Sequence, residues 1–313
     1  MAEGISVIIA AKGCPEYIGK CLESVFNQKG PGLDIILVDD GLSFDSGNFI
    51  REKYPEVRIV SSKHKGPSCG RNAAVKKCGS EFVAFTDSDC VADENWIYEL
   101  YRVFIEKPEA VSCGGTQKIP EDTADFGRRI FKLYRKAVFL IDYMKEDSFR
   151  GPVEVAHNPS CNVMYRREAF LELGGFREGM WPGEDIDLDI RMRKKGYKLF
   201  FNPESIVMHY PPGKFSVFMS KLYNYGLVQS LLMKKHRVFR KIYLVPSALL
   251  AITVIYIILL CFSGFPAFLL FNVLLVLSLL VFAGLDIVMA GLAVAGFISW
   301  NSGFFAGLFK RGK

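Results

Sequence analysis

Two pairs of carboxylates directly follow apolar segments typical of buried strands. Asp39 and Asp40 follow one such segment, and Asp87 and Asp89 follow another. Ligands of parallel sheets bind at the carboxyl ends of the strands, so both pairs should face one crevice. Carboxylates would repel a diphosphate unless a divalent cation lay between them, and oxygen ligands suit Mg²⁺ or Mn²⁺. The spacing predicts such a metal site at Asp87 and Asp89, although a solvated Asp-Ser-Asp turn would look the same.

A second acidic cluster follows the turn Trp181-Pro182-Gly183. Glu184 and Asp185 stand at the start of a predicted helix, where a carboxylate can face a cleft and accept a proton from an attacking hydroxyl. We expect Asp185 to be this base, with Glu184 as the next candidate. The simpler interpretation, charges that favour a helix N-terminus, fits Asp187 and Asp189 well.

The elements that position these acids alternate along the chain. Continuous apolar runs typical of strands buried on both faces alternate with segments of helical periodicity. The strands are predicted at residues 5–11, 35–38, 58–60 and 81–85, and the helices at 17–28 and 68–78. Successive strand and helix units predict an α/β fold, Rossmann-like, with a mostly parallel central sheet.

Several other binding modes are excluded by the sequence. Residues 13–21 place five residues between their glycines, where a P-loop has four, and no GxGxxG is present. No basic stripe with interleaved aromatic residues points to nucleic acid. The eight cysteines form no CxxC pair and show no metal-type spacing with the histidines, so we expect reduced and mostly buried thiols.

The C-terminal part of the chain is strongly apolar. Between residues 243 and 309 the only formal charge is Asp286, and the apolar runs cover 244–262, 265–283 and 287–309. The first run would give roughly 30 Å of helix, the thickness of a hydrocarbon core. We expect transmembrane helices here, because buried core helices of a soluble protein seldom form so long an uncharged stretch.

Charges flanking this region predict its orientation. Basic residues at 234–241 and 310–313 should lie on the cytoplasmic side, which requires an even number of crossings. We therefore expect two full spans and a third, interfacial or re-entrant segment, with three spans as the alternative. Residues 1–4 contain no basic signal-peptide region, so the catalytic domain is expected in the cytoplasm of a multi-pass cell-membrane protein. Residues 213–242 suit amphipathic interface helices, although the first half could equally pack on the protein itself.

Seven motifs, in order and in spacing, resemble the family 2 glycosyltransferases with a glycosyltransferase-A fold. The resemblance covers about residues 4–212 and is carried by SVIIAAKGCPEYIGKCLESV, ILVDDG, GPSCGRNAA, FVAFTDSDC, NVMYRREAFLELGGF, GEDIDLDIRMRKKGY and SIVMHYPP. It implies an inverting enzyme that uses a nucleotide-diphosphate sugar.

The same resemblance implies roles for individual residues. It places Asp39 at the nucleobase, Asp87 at the ribose or the metal, and Asp89 at the metal. It makes Asp185 the general base that accepts the proton of the acceptor hydroxyl. Cofactor-binding positions are also expected at Ala11, Asp40, Arg71 and Asn72, and His209 is expected to reach the metal or the diphosphate. His209 could instead only cap a surface turn before Pro211-Pro212.

These features predict three regions and one activity. The regions are a glycosyltransferase-A catalytic domain at 1–212, interface helices at 213–242 and a transmembrane region at 243–309. We expect transfer of one sugar to an acceptor presented at a lipid bilayer, a polyprenyl-linked saccharide, because a soluble acceptor would not require the anchor. The alternatives are a polyprenyl-phosphate sugar synthase and a non-catalytic, nucleotide-sugar-binding membrane scaffold.

Overall fold

A computed structural model of the protein describes residues 4–13, 16–29, 32–63, 65–137, 149–238, 240–262 and 265–310. The chain divides into two compact units. The first comprises Met1–Glu121 and Asp142–Tyr210, and the second comprises Asp122–Ile141 and Pro211–Lys313.

The first unit is built on one sheet. Its strands are β1 Ile5–Gly13, β2 Leu33–Leu42, β3 Arg58–Ser61, β4 Phe82–Asp87, β5 Cys90–Ala92, β6 Ala110–Lys118, β7 Val153–Glu154, β8 Asn162–Arg166 and β9 Lys198–His209. Its helices are α1 Ile18–Phe26, α2 Phe44–Lys53, α3 Pro67–Lys77, α4 Trp96–Glu106, α6 Arg167–Glu172 and α7 Glu184–Lys194.

The strand order of the sheet is β3-β2-β1-β4-β8-β6-β9-β5, with β7 paired to β9. The pairs β1–β2, β1–β4, β2–β3 and β6–β9 are parallel. Strand β8 runs antiparallel between β4 and β6, and β5 and β7 pair antiparallel with β9. The predicted α/β class with a mostly parallel central sheet is confirmed.

Strand β1 shows why this sheet is buried on both faces. Val7 and Ile9 pack in one core cluster with helices α1 and α4, whereas Ile8 packs in the other cluster with helix α3. Alternate residues of a strand point to opposite faces, so an uninterrupted apolar run fills both layers.

The register of the parallel strands places the acidic residues at one edge. Across β1 and β2, Ala11 pairs with Asp39, and across β1 and β4, Ala10 pairs with Asp87. Both carboxylates therefore lie at the carboxyl ends of strands that flank β1, as the crevice rule for parallel sheets requires.

The second unit is helical. It contains α5 Asp125–Lys136, α8 Phe215–His236, α9 Leu244–Phe262, α10 Phe265–Phe282 and α11 Ile287–Phe309. Helix α8 is one continuous helix, and it packs along α11, where buried Phe218 lies in one core cluster with Met289 and Leu292. The region predicted to form interface helices, 213–242, thus contains one long helix, α8, and its position at a membrane interface stays a prediction.

Glycines explain how closely α8 and α11 approach. A Cβ on Gly303 would lie 1.9 Å from the carbonyl oxygen of Tyr223, and one on Gly226 would lie 1.9 Å from that of Trp300. Such contacts are possible only without side chains, as at small-residue crossings of membrane helices. Gly303 and Gly226 therefore serve helix packing, and α11 runs as one helix from Ile287 to Phe309.

Asp286, directly before α11, has two hydrogen-bond partners. Asp286 accepts a hydrogen bond from the Met289 backbone N–H at 3.0 Å and one from Arg129 Nε of α5 at 2.8 Å. Asp286 thus caps the N-terminus of α11 and pairs with a cation, which offsets its cost in an apolar region.

Within the described residues, two helices are long and apolar enough to cross a membrane. The first covers Lys241–Leu259, which includes most of α9, and is almost fully exposed, with 6% buried. The second is α11, Ile287–Phe309, which is 50% buried, whereas the apolar stretch of α10, Phe268–Phe282, is shorter. Large apolar side chains of α9 and α10 are exposed, among them Leu250, Val254, Leu270 and Val281. The number of crossings and the boundaries of the three regions stay predictions.

Candidate active site

Three predicted metal ligands meet at one edge of the sheet. Asp87 ends β4, Asp89 follows it closely, and His209 ends β9. One ligand atom from each lies within 4.8 Å of the others, and His209 Nε2 is 3.5 Å from Asp89 Oδ2. The Asp89 side chain is 46% exposed, so a ligand can approach from solvent. Two carboxylates and an imidazole form a donor set that fits Mn²⁺, and the oxygens also suit Mg²⁺.

Arg71 of helix α3 connects this edge to the second acidic cluster. Its side chain is 2% exposed. Its Nη2 donates a short hydrogen bond to Asp87 Oδ1, and its Nη1 donates to Glu184 Oε1 at 2.9 Å. One buried guanidinium therefore fixes the end of β4 relative to the start of α7. Such charge-assisted pairs are strong and geometrically specific.

The Glu184 carboxylate is buried and hydrogen-bonded within the protein. Its side chain is 2% exposed, its Oε1 accepts from Arg71, and its Oε2 accepts from the Gly183 backbone N–H at 2.9 Å. Burial raises the pKa of Glu184 to about 7, and the neighbouring Asp185 adds to the increase while Arg71 opposes it. Because its side chain is almost fully buried against Arg71, Glu184 fits a positioning role better than the predicted catalytic role.

Asp185 is the more accessible of the two predicted catalytic residues, since it is only partly buried. Its Oδ2 accepts from the Ser160 backbone N–H at 3.0 Å, and its Oδ1 accepts from the Ile186 backbone N–H at 2.8 Å. A carboxylate can accept about four hydrogen bonds, so lone pairs remain for a substrate proton. The two backbone bonds orient the group without blocking it.

The expectation that Asp187 and Asp189 are simple helix-start charges is wrong, because both side chains are 0% exposed. Asp187 pairs with Arg177 at 3.2 Å and with Arg191 at 2.8 Å. Asp189 accepts from the Asn158 backbone N–H and lies 2.8 Å from His157 Nδ1, and burial raises its pKa. Buried carboxylates need such partners, so both residues belong to the internal framework.

Asp39 and Asp40 lie at the same edge as Asp87 but differ in exposure. Asp39 Oδ1 accepts backbone N–H groups of Gly41 and Leu42, both at 2.8 Å, which shapes the turn after β2. Asp40 is 4% exposed and accepts from Ser62 Oγ and from the Gly66 N–H. Asp40 therefore holds the loop before α3, while Asp39 is partly exposed.

The remaining predicted nucleotide contacts are also buried. Ala11 is 3% exposed, so only its backbone could touch a ligand. Asn72 is 7% exposed and forms two hydrogen bonds with the Phe176 backbone, donating to the carbonyl at 2.7 Å and accepting from the N–H at 2.9 Å. Its amide is thus used to hold the turn before α7, which does not support a nucleotide contact.

The segment of residues 157–160 was missed by sequence reasoning. His157 and Asn158 are bound by Asp189, and the Ser160 backbone N–H is bound by Asp185. This segment thereby sets the orientation of the predicted base. The available signal was a polar run with Pro159 directly before a strand, which is typical of any turn.

Residues 6–174 match the family described as "Glycosyl transferase family 2". A pre-mycofactocin glycosyltransferase of Mycobacterium tuberculosis is 29% identical over 182 residues, which are 57% of this chain but only 37% of that protein's length. The dolichyl N-acetyl-alpha-D-glucosaminyl phosphate 3-beta-D-2,3-diacetamido-2,3-dideoxy-beta-D-glucuronosyltransferase of Methanococcus voltae is 25% identical over 244 residues, 74% of each chain.

A solved structure shares the fold. The mannosyltransferase PcManGT from Pyrobaculum calidifontis, in complex with GDP-Man and Mn²⁺, superimposes with a TM-score of 0.70 at 16% identity, covering 94% of this chain and 86% of that one. The family match spans more than half of the chain and includes the Asp39, Asp87 and Asp89 edge. This protein belongs to glycosyl transferase family 2.

Proposed function

We propose that the protein is a metal-dependent glycosyltransferase. It moves one sugar, with inversion, from a nucleotide-diphosphate sugar to a lipid-linked acceptor. The observation that carries the proposal is the buried Arg71, which bonds both Asp87 of the metal-binding edge and Glu184 beside Asp185. A leaving-group site and a proton acceptor are thereby held on one rigid framework.

Asp87, Asp89 and His209 would hold Mg²⁺ or Mn²⁺. When bound, the ion would neutralise the diphosphate and assist its departure. Asp39, at the neighbouring strand end, is available for the nucleotide. Because these groups lie at ends of strands rather than on a long loop, little reorganisation is needed when the donor binds.

Asp185 would accept the proton of the attacking hydroxyl. As the acceptor oxygen bonds to the anomeric carbon, the bond from that carbon to the diphosphate breaks, and the hydroxyl proton passes to an Asp185 oxygen. Nucleophile and leaving group lie on opposite sides of the carbon, which inverts its configuration. Hydrogen bonds from Ser160 and Ile186 keep the carboxylate oriented for this transfer.

A lipid-linked acceptor is supported by two observations. Apolar helices of the second unit expose large aliphatic side chains, a surface that suits a bilayer. The relative from Methanococcus voltae carries a dolichyl-linked sugar in its name, which favours a polyprenyl-linked saccharide over the bare polyprenyl phosphate of a sugar synthase.

Membrane topology can be tested directly. We propose that both termini are cytoplasmic, since the basic residues at 234–241 and 310–313 flank the apolar region. A C-terminal tag should then be cleaved by protease added to sealed inside-out vesicles. Protection of the tag would contradict two crossings and favour three.

The activity is tested by incubating membranes that contain the protein with a panel of labelled nucleotide sugars. We expect one label to enter the lipid fraction. The Asp185→Asn variant should transfer this label much more slowly than the wild-type protein. If no label enters the lipid fraction and no donor is hydrolysed, the transferase proposal fails and the non-catalytic scaffold is favoured.

A further inference from the structure

A second group of metal-ligand atoms lies next to the acidic edge. The thiols of Cys90 and Cys161 and the imidazole of His209 lie within 4.8 Å of one another. Cys90 is 1% exposed and Cys161 is 5% exposed, whereas the His209 side chain is 19% exposed. The group therefore has a buried sulfur side and one more open edge.

The sheet creates this group. Cys90 of β5 is the register partner of His209 in β9, and directly opposed residues of antiparallel strands point to the same face. Cys161 immediately precedes β8, whose first residue, Asn162, pairs with Thr86 of β4. Strands β5 and β9 and the residue before β8 thus bring two sulfur atoms and one nitrogen within 4.8 Å of one another.

This donor set differs chemically from the neighbouring one. Thiolates are soft ligands and imidazole is a borderline one, and together they suit Zn²⁺, while carboxylate oxygens favour Mg²⁺ or Mn²⁺. Zinc bonds of about 2.3 Å to sulfur and about 2.0–2.1 Å to nitrogen in a tetrahedron place the ligand atoms roughly 3.3–3.8 Å apart. Side-chain shifts of about an ångström would close the group from its present span, with loss of the thiol protons.

The imidazole of His209 is common to both groups, because it also lies with Asp87 and Asp89. We propose that Cys90, Cys161 and His209 form a Zn²⁺ site that competes with the Mg²⁺ or Mn²⁺ site for His209. A solvent or carboxylate oxygen supplies the fourth ligand. Zinc binding itself does not depend on the proposed function, but its consequence, inhibition of sugar transfer, rests on it.

The direct test uses Co²⁺ as a spectroscopic substitute for Zn²⁺ on the full-length protein, with the thiols kept reduced by a phosphine. We expect a thiolate-to-cobalt charge-transfer band that saturates at one equivalent and disappears when Zn²⁺ is added. This measurement needs no variant. Absence of the band from the folded wild-type protein would overturn the proposal.

Variants locate the site. Cys90→Ser and Cys161→Ser should lose the band and bind Zn²⁺ roughly 100-fold more weakly or worse, because even outer-shell changes cost about 10–100-fold. Cys78→Ser is the matched control, since Cys78 is also buried but belongs to the other core cluster. Asp87→Asn should keep the band. Loss of the band in Asp87→Asn, with both cysteine variants unaffected, would place the ion at the acidic edge and refute the proposal.

The inhibitory consequence is measured by sugar transfer at saturating Mn²⁺ with increasing Zn²⁺. Zn²⁺ should inhibit the wild-type protein and should inhibit Cys161→Ser only at roughly 100-fold higher concentration. Equal inhibition of both proteins would refute competition through this site. A wild-type protein with the cobalt band but no transferase activity would leave the zinc site intact and refute the proposed function instead.

Discussion

Replacing Asp185 by Asn removes the proton acceptor while preserving most of the side-chain shape. Asp185 uses Oδ2 for the Ser160 N–H and Oδ1 for the Ile186 N–H. Asn offers one oxygen, so the variant can keep only one of these bonds, and its NH₂ group faces the other donor. We therefore expect a local loss in stability and a larger loss in chemistry.

The two effects differ in size. One lost hydrogen bond costs about 0.5–1.5 kcal/mol. Removal of the Asp185 charge partly offsets this, because that charge adds to the raised pKa of buried Glu184. A general base contributes about 10²- to 10⁴-fold to turnover, equivalent to about 3–5 kcal/mol of activation free energy. The loss of turnover should thus exceed any loss of folded protein.

The assay measures kcat for sugar transfer and the Kd for the nucleotide sugar on the same purified protein, together with thermal unfolding. We expect kcat to fall by about 10²- to 10⁴-fold and the donor Kd to change by less than about threefold. Asp187→Asn is the control on the same helix. It should lower stability, because it breaks buried pairs with Arg177 and Arg191, while turnover per folded molecule stays near normal.

A fall in kcat of less than about tenfold for folded Asp185→Asn would show that Asp185 is not the base. Glu184 would be a poor replacement, since its side chain is 2% exposed and both oxygens are bonded. The acceptor of the proton would then have to be sought outside the start of α7.

Chelation should abolish transfer, and Mn²⁺ or Mg²⁺ should restore it; full activity in excess chelator would contradict a metal at Asp87 and Asp89. Glu184 holds its proton to about pH 7 in the folded protein, against 4.5 as the ordinary value, so the folded state binds more protons and the free energy of unfolding falls as pH rises between these values. Between pH 4.5 and 8, the free energy of unfolding of the wild-type protein, measured with denaturant, should include a fall of about 3 kcal/mol that the Glu184→Gln variant lacks. Parallel pH profiles of the two proteins would contradict the raised pKa. Gly303→Ala should destabilise the helical unit by about 1–3 kcal/mol, because its Cβ would meet the Tyr223 carbonyl oxygen at 1.9 Å. Gly291→Ala, with no neighbouring atom within 4 Å, is the matched control in thermal unfolding, and equal effects would contradict close packing of α8 and α11.

The metal-binding edge could be predicted because it depends on simple rules. Apolar runs identify strands, parallel strands end at the same edge, and the residues after them must therefore meet. Asp39 and Asp87 follow this logic, and the register across β1 gives it a physical basis. The direction of the strands alone places Asp39 and Asp87 at one edge, without knowledge of contacts between distant residues.

The burial of Asp187 and Asp189 could not be predicted in the same way. In α7 the apolar residues Ile186, Leu188 and Ile190 alternate with charged ones, so no helical stripe marks the face that is turned inward. That face is decided by partners far along the chain, such as His157 for Asp189. The proximity of Cys90, Cys161 and His209 could not be predicted either, because it depends on the pairing of strands that are far apart in the chain.

The acidic residues of α7 show how environment divides roles among identical groups. Asp187 and Asp189 are fully buried and bind the segments around Arg177 and His157, and Glu184 is buried against Arg71. These three carboxylates pair with cations or backbone groups, and their burial keeps them out of reach of a ligand. Asp185 is oriented by the Ser160 backbone N–H yet stays partly exposed, which is the combination that a general base requires. The orientation of the Asp185 carboxylate therefore depends on Asp189, which binds the 157–160 segment and is itself fully buried.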